Sequence, residues 1–122
     1  MKPIRFRHAP FELVSASGAW VPSLWPIEVA NSLQAGVHRG RITAEFRDTA
    51  LADLASLSIS VDPETTTYAW GNTLQLADRY GLTVYDAAYL ELAQRRSLPL
   101  ASLDVPLCNA ARKVGVGLVN AS

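Results

Sequence analysis

The sequence predicts an α/β fold, a parallel sheet flanked by helices. Short apolar runs of strand length alternate with longer stretches of helical periodicity. Several of the longer stretches open on a capping residue, and Gly40, Gly81 and Gly115 stop three of them. Strands that alternate with helices in this way pair in parallel, because each helix carries the chain back across the sheet. No repeat, low-complexity segment or linker divides the 122 residues, so a single domain over 1–122 is expected.

In chain order, Pro3 to Arg7 alternates weakly and reads as a strand with one wet face. Phe11 to Ser15 reads as a short helical piece that Ser17 and Gly18 break. Ala19 to Pro22 is a short buried strand. Ser23 is placed to cap a helix that tolerates Pro26 in its first turn and stops at Gly40. Ile27, Ala30, Leu33 and Val37 form its predicted core stripe. Thr43 caps the next helix, with Phe46, Ala50, Leu54 and Leu57 inward. Ser58 to Asp62 alternates like a strand and Pro63 ends it. Thr65 to Tyr80 reads as a helix, with Trp70, Leu74 and Ala77 inward.

The stretch from Leu82 to Leu107 is the most informative. Gly81 stops the preceding helix, and Thr83 with Asp86 matches a capping box. Ala87 to Ala93 is rich in helix formers. Pro99 to Leu103 is an apolar run of strand length, closed by Asp104, and Pro106 fits the first turn of a following helix. That helix runs over Leu107 to Val114 with Gly115 as its C-cap, and Val116 to Val119 is a last short strand before a tail at 120–122.

Composition excludes several classes. Lys plus Arg balance Asp plus Glu at 11 each, so total charge argues for no strong grip on nucleic acid. The local pairs Arg95–Arg96 and Arg112–Lys113 read as solvated helix ends, where cations suit the dipole. No apolar run approaches the roughly 20 residues of a membrane span. One cysteine, Cys108, allows no intrachain disulfide, and a cytoplasmic location is expected. There is no glycine-rich phosphate loop, no paired-cysteine zinc pattern and no HExxH.

What remains is a set of acids. Glu28, Asp86 and Asp104 each fall at a predicted helix start. Each has a plain structural role: Glu28 as a dipole partner, Asp86 as a capping-box acid, Asp104 as an N-cap. Carboxylates converging from three segments would instead make a hard oxygen site suited to Mg²⁺ or Mn²⁺. Spacing leaves both readings open. The tryptophans and the tyrosines Tyr80, Tyr85 and Tyr89 read as core or dimer contacts.

Three pieces carry a family resemblance: VPSLWPIEVAN (21–31), LADRYGLTVYDAAYLELAQRRSLPLASLD (76–104) and LCNAARKVGVGLV (107–119). Together they make residues 19–119 resemble a PIN domain of the VapC toxin type. The resemblance implies a doubly wound parallel sheet and a metal-dependent endoribonuclease, the toxin of a toxin–antitoxin pair. It implies that Glu28, Asp86 and Asp104 bind Mg²⁺ or Mn²⁺ and act on an RNA phosphodiester. It further implies an antitoxin that plugs the site, often with an arginine, and a homodimer. A PIN-like fold that binds or dimerises without catalysis is the alternative.

The chain departs from the family at its start. Family members open with a central strand ending in a metal-binding aspartate, whereas here nothing acidic precedes Glu12. The expected fold is therefore PIN-like but N-terminally truncated or altered, with weakened metal binding. Pro3 to Arg7 or a partner chain is expected to fill the vacated place in the sheet, and Glu12 is a candidate substitute ligand.

Overall fold

The computed structural model describes residues 13–16 and 18–119, with side chains from Ala19 onward. The readings made for Pro3–Arg7, Glu12 and the tail at 120–122 lie outside them. Among the described residues four strands form one sheet: β1 (Leu13–Ala16), β2 (Gly18–Val21), β3 (Ile59–Val61) and β4 (Leu100–Ala101), in the order β3-β2-β1-β4. Five α-helices connect or follow them: α1 (Trp25–His38), α2 (Ala44–Ala55), α3 (Asn72–Tyr80), α4 (Val84–Arg96) and α5 (Val105–Lys113).

The sheet is mixed. β2 and β3 pair in parallel, and Leu100 makes an isolated parallel bridge to Leu118 in place of the predicted Val116–Val119 strand. β1 is antiparallel to both β2 and β4. Leu13–Ala16 is thus a strand and not a helical piece, and it occupies the place between β2 and β4 that another segment was expected to fill. Its physical reason is the adjacency of β2: one residue separates the two strands, so the chain folds straight back on itself as a hairpin.

Local chemistry sets most helix limits. Thr43 Oγ1 accepts from Phe46 N and Thr83 Oγ1 from Asp86 N, each at 3.0 Å, as the cap patterns predict. Asp104 Oδ2 accepts from Leu107 N at 2.9 Å and starts α5. Ser23 does not cap α1; its N–H bonds to Thr65 Oγ1, and α1 begins at Trp25 with proline in its first turn. Gly81 ends α3 with φ of +65° and open space around a built Cβ, so Gly81→Ala costs only backbone strain. That substitution is expected to lower stability by about 1 kcal/mol, read as a small fall in melting temperature by circular dichroism.

Core faces differ from the predicted stripes, also for α2, where Phe46 and, just beyond the helix, Leu57 are exposed although Thr43 caps the helix as expected. In α1 the buried set is Trp25, Val29, Leu33 and Gly36, around Glu28, while Ile27 is exposed. Both stripes share Leu33, and burying the large indole of Trp25 decides between them. The helix predicted from Thr65 is a short 3-10 turn, Thr65–Thr67, then α3. Trp70 falls in the connection and is 94 % exposed. β4 keeps only two of its predicted residues, because Asp104 N bonds to Ser102 Oγ and turns the chain away, leaving Leu103 99 % exposed.

α4 is the centre of the molecule. Every residue from Asp86 to Ala93 is buried, and the helix lies against α3, α5, β1 and β4. α1 packs chiefly on α2. Trp25, Val29 and Leu33 of α1 join Leu90, Leu92 and Leu107 in one apolar cluster.

Candidate functional site: a buried carboxylate pair between two helices

The first turns of α1 and α4 bring Glu28 and Asp86 together. Both are buried, and Asp86 acts on Glu28 as a like charge. Tyr89, three residues beyond Asp86 and therefore on nearly the same face of α4, donates its hydroxyl to Glu28 Oε1 at 3.1 Å. Glu28 Oε2 is buried without a hydrogen-bond partner among the described residues. Burial raises the Glu28 carboxyl; the Tyr89 hydrogen bond opposes this and the charge of Asp86 adds to it, so that Glu28 is pushed up to about 7.

Asp104 stands differently. Its Oδ2 is engaged in capping α5. No group of three or more His, Cys, Asp or Glu side chains placed to hold one metal ion is found among the described residues. The structure therefore pairs Glu28 with Asp86 and gives Asp104 a capping role.

The raised Glu28 has a measurable consequence. Its folded pKa of about 7 lies above the ordinary carboxyl value of 4.5, so the folded state binds this proton more tightly than the unfolded chain. The stabilising contribution is full below 4.5 and is lost as pH rises through about 7. Native protein should melt at progressively lower temperature across that window in metal-free buffer. Glu28→Gln should flatten the profile, and scanning calorimetry at several pH values reads the difference.

A second polar cluster surrounds the C-terminal end of α4. Asp62, which follows β3, is 0 % exposed, and Glu91 is 2 % exposed. Arg95 binds both: Nη2 lies 2.6 Å from Asp62 Oδ2 and Nε lies 2.7 Å from Glu91 Oε2. Arg96 Nη2 reaches Asp62 Oδ1 at 3.1 Å. The two guanidinium groups also cover aromatic rings, Arg95 over Tyr68 at 4.7 Å and Arg96 over Trp20 at 3.8 Å. Arg95 and Arg96 are therefore not solvated helix ends. Burial alone would raise Asp62, but hydrogen bonds from Arg95, Arg96, Thr65 and the Glu64 backbone outweigh it and hold the carboxyl at about 2.

Tyr89, Asp62 and Glu91 were not singled out by sequence as polar partners. Two signals were present: Asp86 and Tyr89 at i,i+3, and Glu91 and Arg95 at i,i+4. The Asp62 pairing spans more than thirty residues and leaves no local signal.

The fold and the site define a mixed α/β protein with a buried carboxylate pair between two helix starts. No helix among the described residues is long and apolar enough to cross a membrane. No protein-family model and no curated protein matches the chain.

Proposed function

We propose that this chain is a PIN-type, metal-dependent endoribonuclease, the toxin of a VapBC-like toxin–antitoxin pair. The observation that carries the reading is the meeting of Glu28 and Asp86 across α1 and α4, two of the three acids that the resemblance assigns to the site. The parallel pairing of β2 with β3 is compatible with it.

The residues fit a hard divalent cation. Two neighbouring carboxylates repel each other, one oxygen of Glu28 lacks a hydrogen-bond partner among the described residues, and a cation would relieve both conditions. Mg²⁺ is commonly held by one or two carboxylates, with waters and phosphate oxygens completing its shell. Glu28 and Asp86 would hold Mg²⁺ or Mn²⁺, and by resemblance Asp104 would assist through the oxygen not engaged in capping. When bound, the ion supplies charge neutralisation at a phosphodiester and a more acidic water. Tyr89 holds one oxygen of Glu28 by its hydrogen bond and so restrains the orientation of the carboxylate. Glu28 must release its proton to serve as a ligand, so metal affinity should rise as pH increases through about 7.

The proposed substrate is RNA and the proposed partners are a cognate antitoxin and a second copy of the chain, in the cytoplasm. Incubation of an RNA pool with the purified chain in Mg²⁺ or Mn²⁺ tests the activity. Fragments that appear only with metal and vanish with chelator support it, and an intact pool under every condition defeats it.

One observation favours a second reading. Asp104 caps a helix, and no group of three metal ligands gathers among the described residues. A PIN-like binding or dimerisation module without catalysis would be built this way. Dimers in sedimentation together with intact RNA would select it.

A further inference from the structure

α1 and α4 carry the carboxylate pair, yet they lean mainly on other elements, α1 on α2 and α4 on α3 and α5. Apolar packing in the shared cluster holds them near each other, but such packing is non-directional and sets no single separation. Directional contacts must do that. One is at the site itself, Tyr89 to Glu28. A second route runs outside it.

That route is a chain of hydrogen bonds. Ser23 N, two residues before α1, donates to Thr65 Oγ1 at 3.0 Å. Thr65 Oγ1 donates to Asp62 Oδ2 at 2.9 Å. Asp62 accepts from Arg95 and Arg96 at the end of α4. The Asp62 backbone is itself pinned, its N–H bonding to Val21 O at the end of β2 at 2.8 Å. Thr65 and Asp62 are both buried, so each bond is shielded from competing water.

We infer that Thr65 and Asp62 are positioning residues, a hydrogen-bonded clasp that sets α1 against α4 and so holds Glu28 and Tyr89 in register. The inference rests on the proposed role of the Glu28–Asp86 pair only for its effect on activity; the effect on the Tyr89–Glu28 bond is independent of it. Thr65 touches neither carboxylate of the pair. Its hydroxyl accepts from one side of the clasp and donates to the other, a duty that serine can perform and valine cannot.

The test compares Thr65→Val with Thr65→Ser in the full chain. The readout is the hydroxyl proton of Tyr89 in the proton NMR spectrum, assigned by its loss in Tyr89→Phe. In the native chain this proton is buried and hydrogen-bonded. Thr65→Val is expected to speed its exchange with water at least tenfold, and Thr65→Ser to restore slow exchange. A role in stability alone would lower the melting temperature of Thr65→Val and speed the Tyr89 proton no more than it speeds the slowest backbone amides, and that result overturns the inference. If Thr65→Val does not fold, Thr65→Ala against Thr65→Ser decides on the same criterion. In an RNA cleavage assay the valine variant should lose about tenfold in kcat with KM unchanged. Absence of cleavage by the native chain would defeat the proposed function while leaving the NMR result to decide the clasp.

Discussion

Replacing Arg95 by alanine should strongly destabilise this protein. The substitution strands Glu91, 2 % exposed, and leaves Asp62, fully buried, with only Arg96 and Thr65 of its side-chain partners. Removing one partner of a buried ion pair leaves an uncompensated charge in a poorly solvated place, typically costing about 3–5 kcal/mol. Arg95 keeps some contact with water, so the lower end, about 3 kcal/mol, is expected, or roughly 10 °C in melting temperature. Arg95→Lys keeps the charge but not the planar fork, and should fall between the two.

The pH dependence carries the same signature. Asp62 is held at about 2 against an ordinary value of 3.8, so its contribution is present above 3.8 and is lost as pH falls through about 2. Arg95→Ala should remove most of this acid-side transition, with Arg96 retaining part of it. Thermal melts of both proteins between those pH values check the expectation. An unchanged melting temperature in Arg95→Ala would mean that water solvates the two carboxylates after all.

Asp86→Asn is expected to have the largest effect on activity. The side chain keeps its shape and the backbone N–H of residue 86 keeps its bond to Thr83, so α4 still starts where it does. What is lost is one of the two charges that would hold the proposed divalent ion. Loss of a supporting contact to a metal ligand commonly costs 10–100-fold, so loss of a ligand charge should cost at least about 100-fold in metal-dependent RNA cleavage.

Stability should respond differently. Burial raises Glu28 first, and the Asp86 charge raises it further; without that charge the Glu28 carboxyl ionises more readily. The stability lost as pH rises toward 7 should therefore shrink, and Asp86→Asn should melt near the native temperature in neutral buffer. An inactive but fully folded variant would support the proposed site. Equal cleavage by native and Asp86→Asn protein would remove Asp86 from it.

Short-range signals in the chain are legible. Thr43 and Thr83 cap the helices that their spacing to Phe46 and Asp86 predicts, and Asp104 opens α5. Gly81 and Gly115 take positive φ where helices stop. These features depend on neighbours within four residues, so composition and order are enough to reveal them.

Non-local choices were not legible. Residues 13–16 carry no pattern that distinguishes a strand from a helical turn, and only pairing with β2 and β4 makes them a strand. The inward face of α1 had two apolar options, settled by where Trp25 packs. Arg95 and Arg96 carry the ordinary marks of a helix end, and nothing near them in sequence announces Asp62.

The amino-acid order by itself determined the capped helix starts, the glycine stops and the presence of an acid in the first turn of α1 and of α4, because short-range hydrogen bonding and backbone sterics decide these within a few residues. Tertiary structure alone decided that Glu28 meets Asp86 and Tyr89, that Asp62 meets Arg95 and Arg96, and that β1 runs antiparallel within the sheet. Those are encounters between distant segments, and they follow from how apolar faces pack and from the need of each buried charge for a partner.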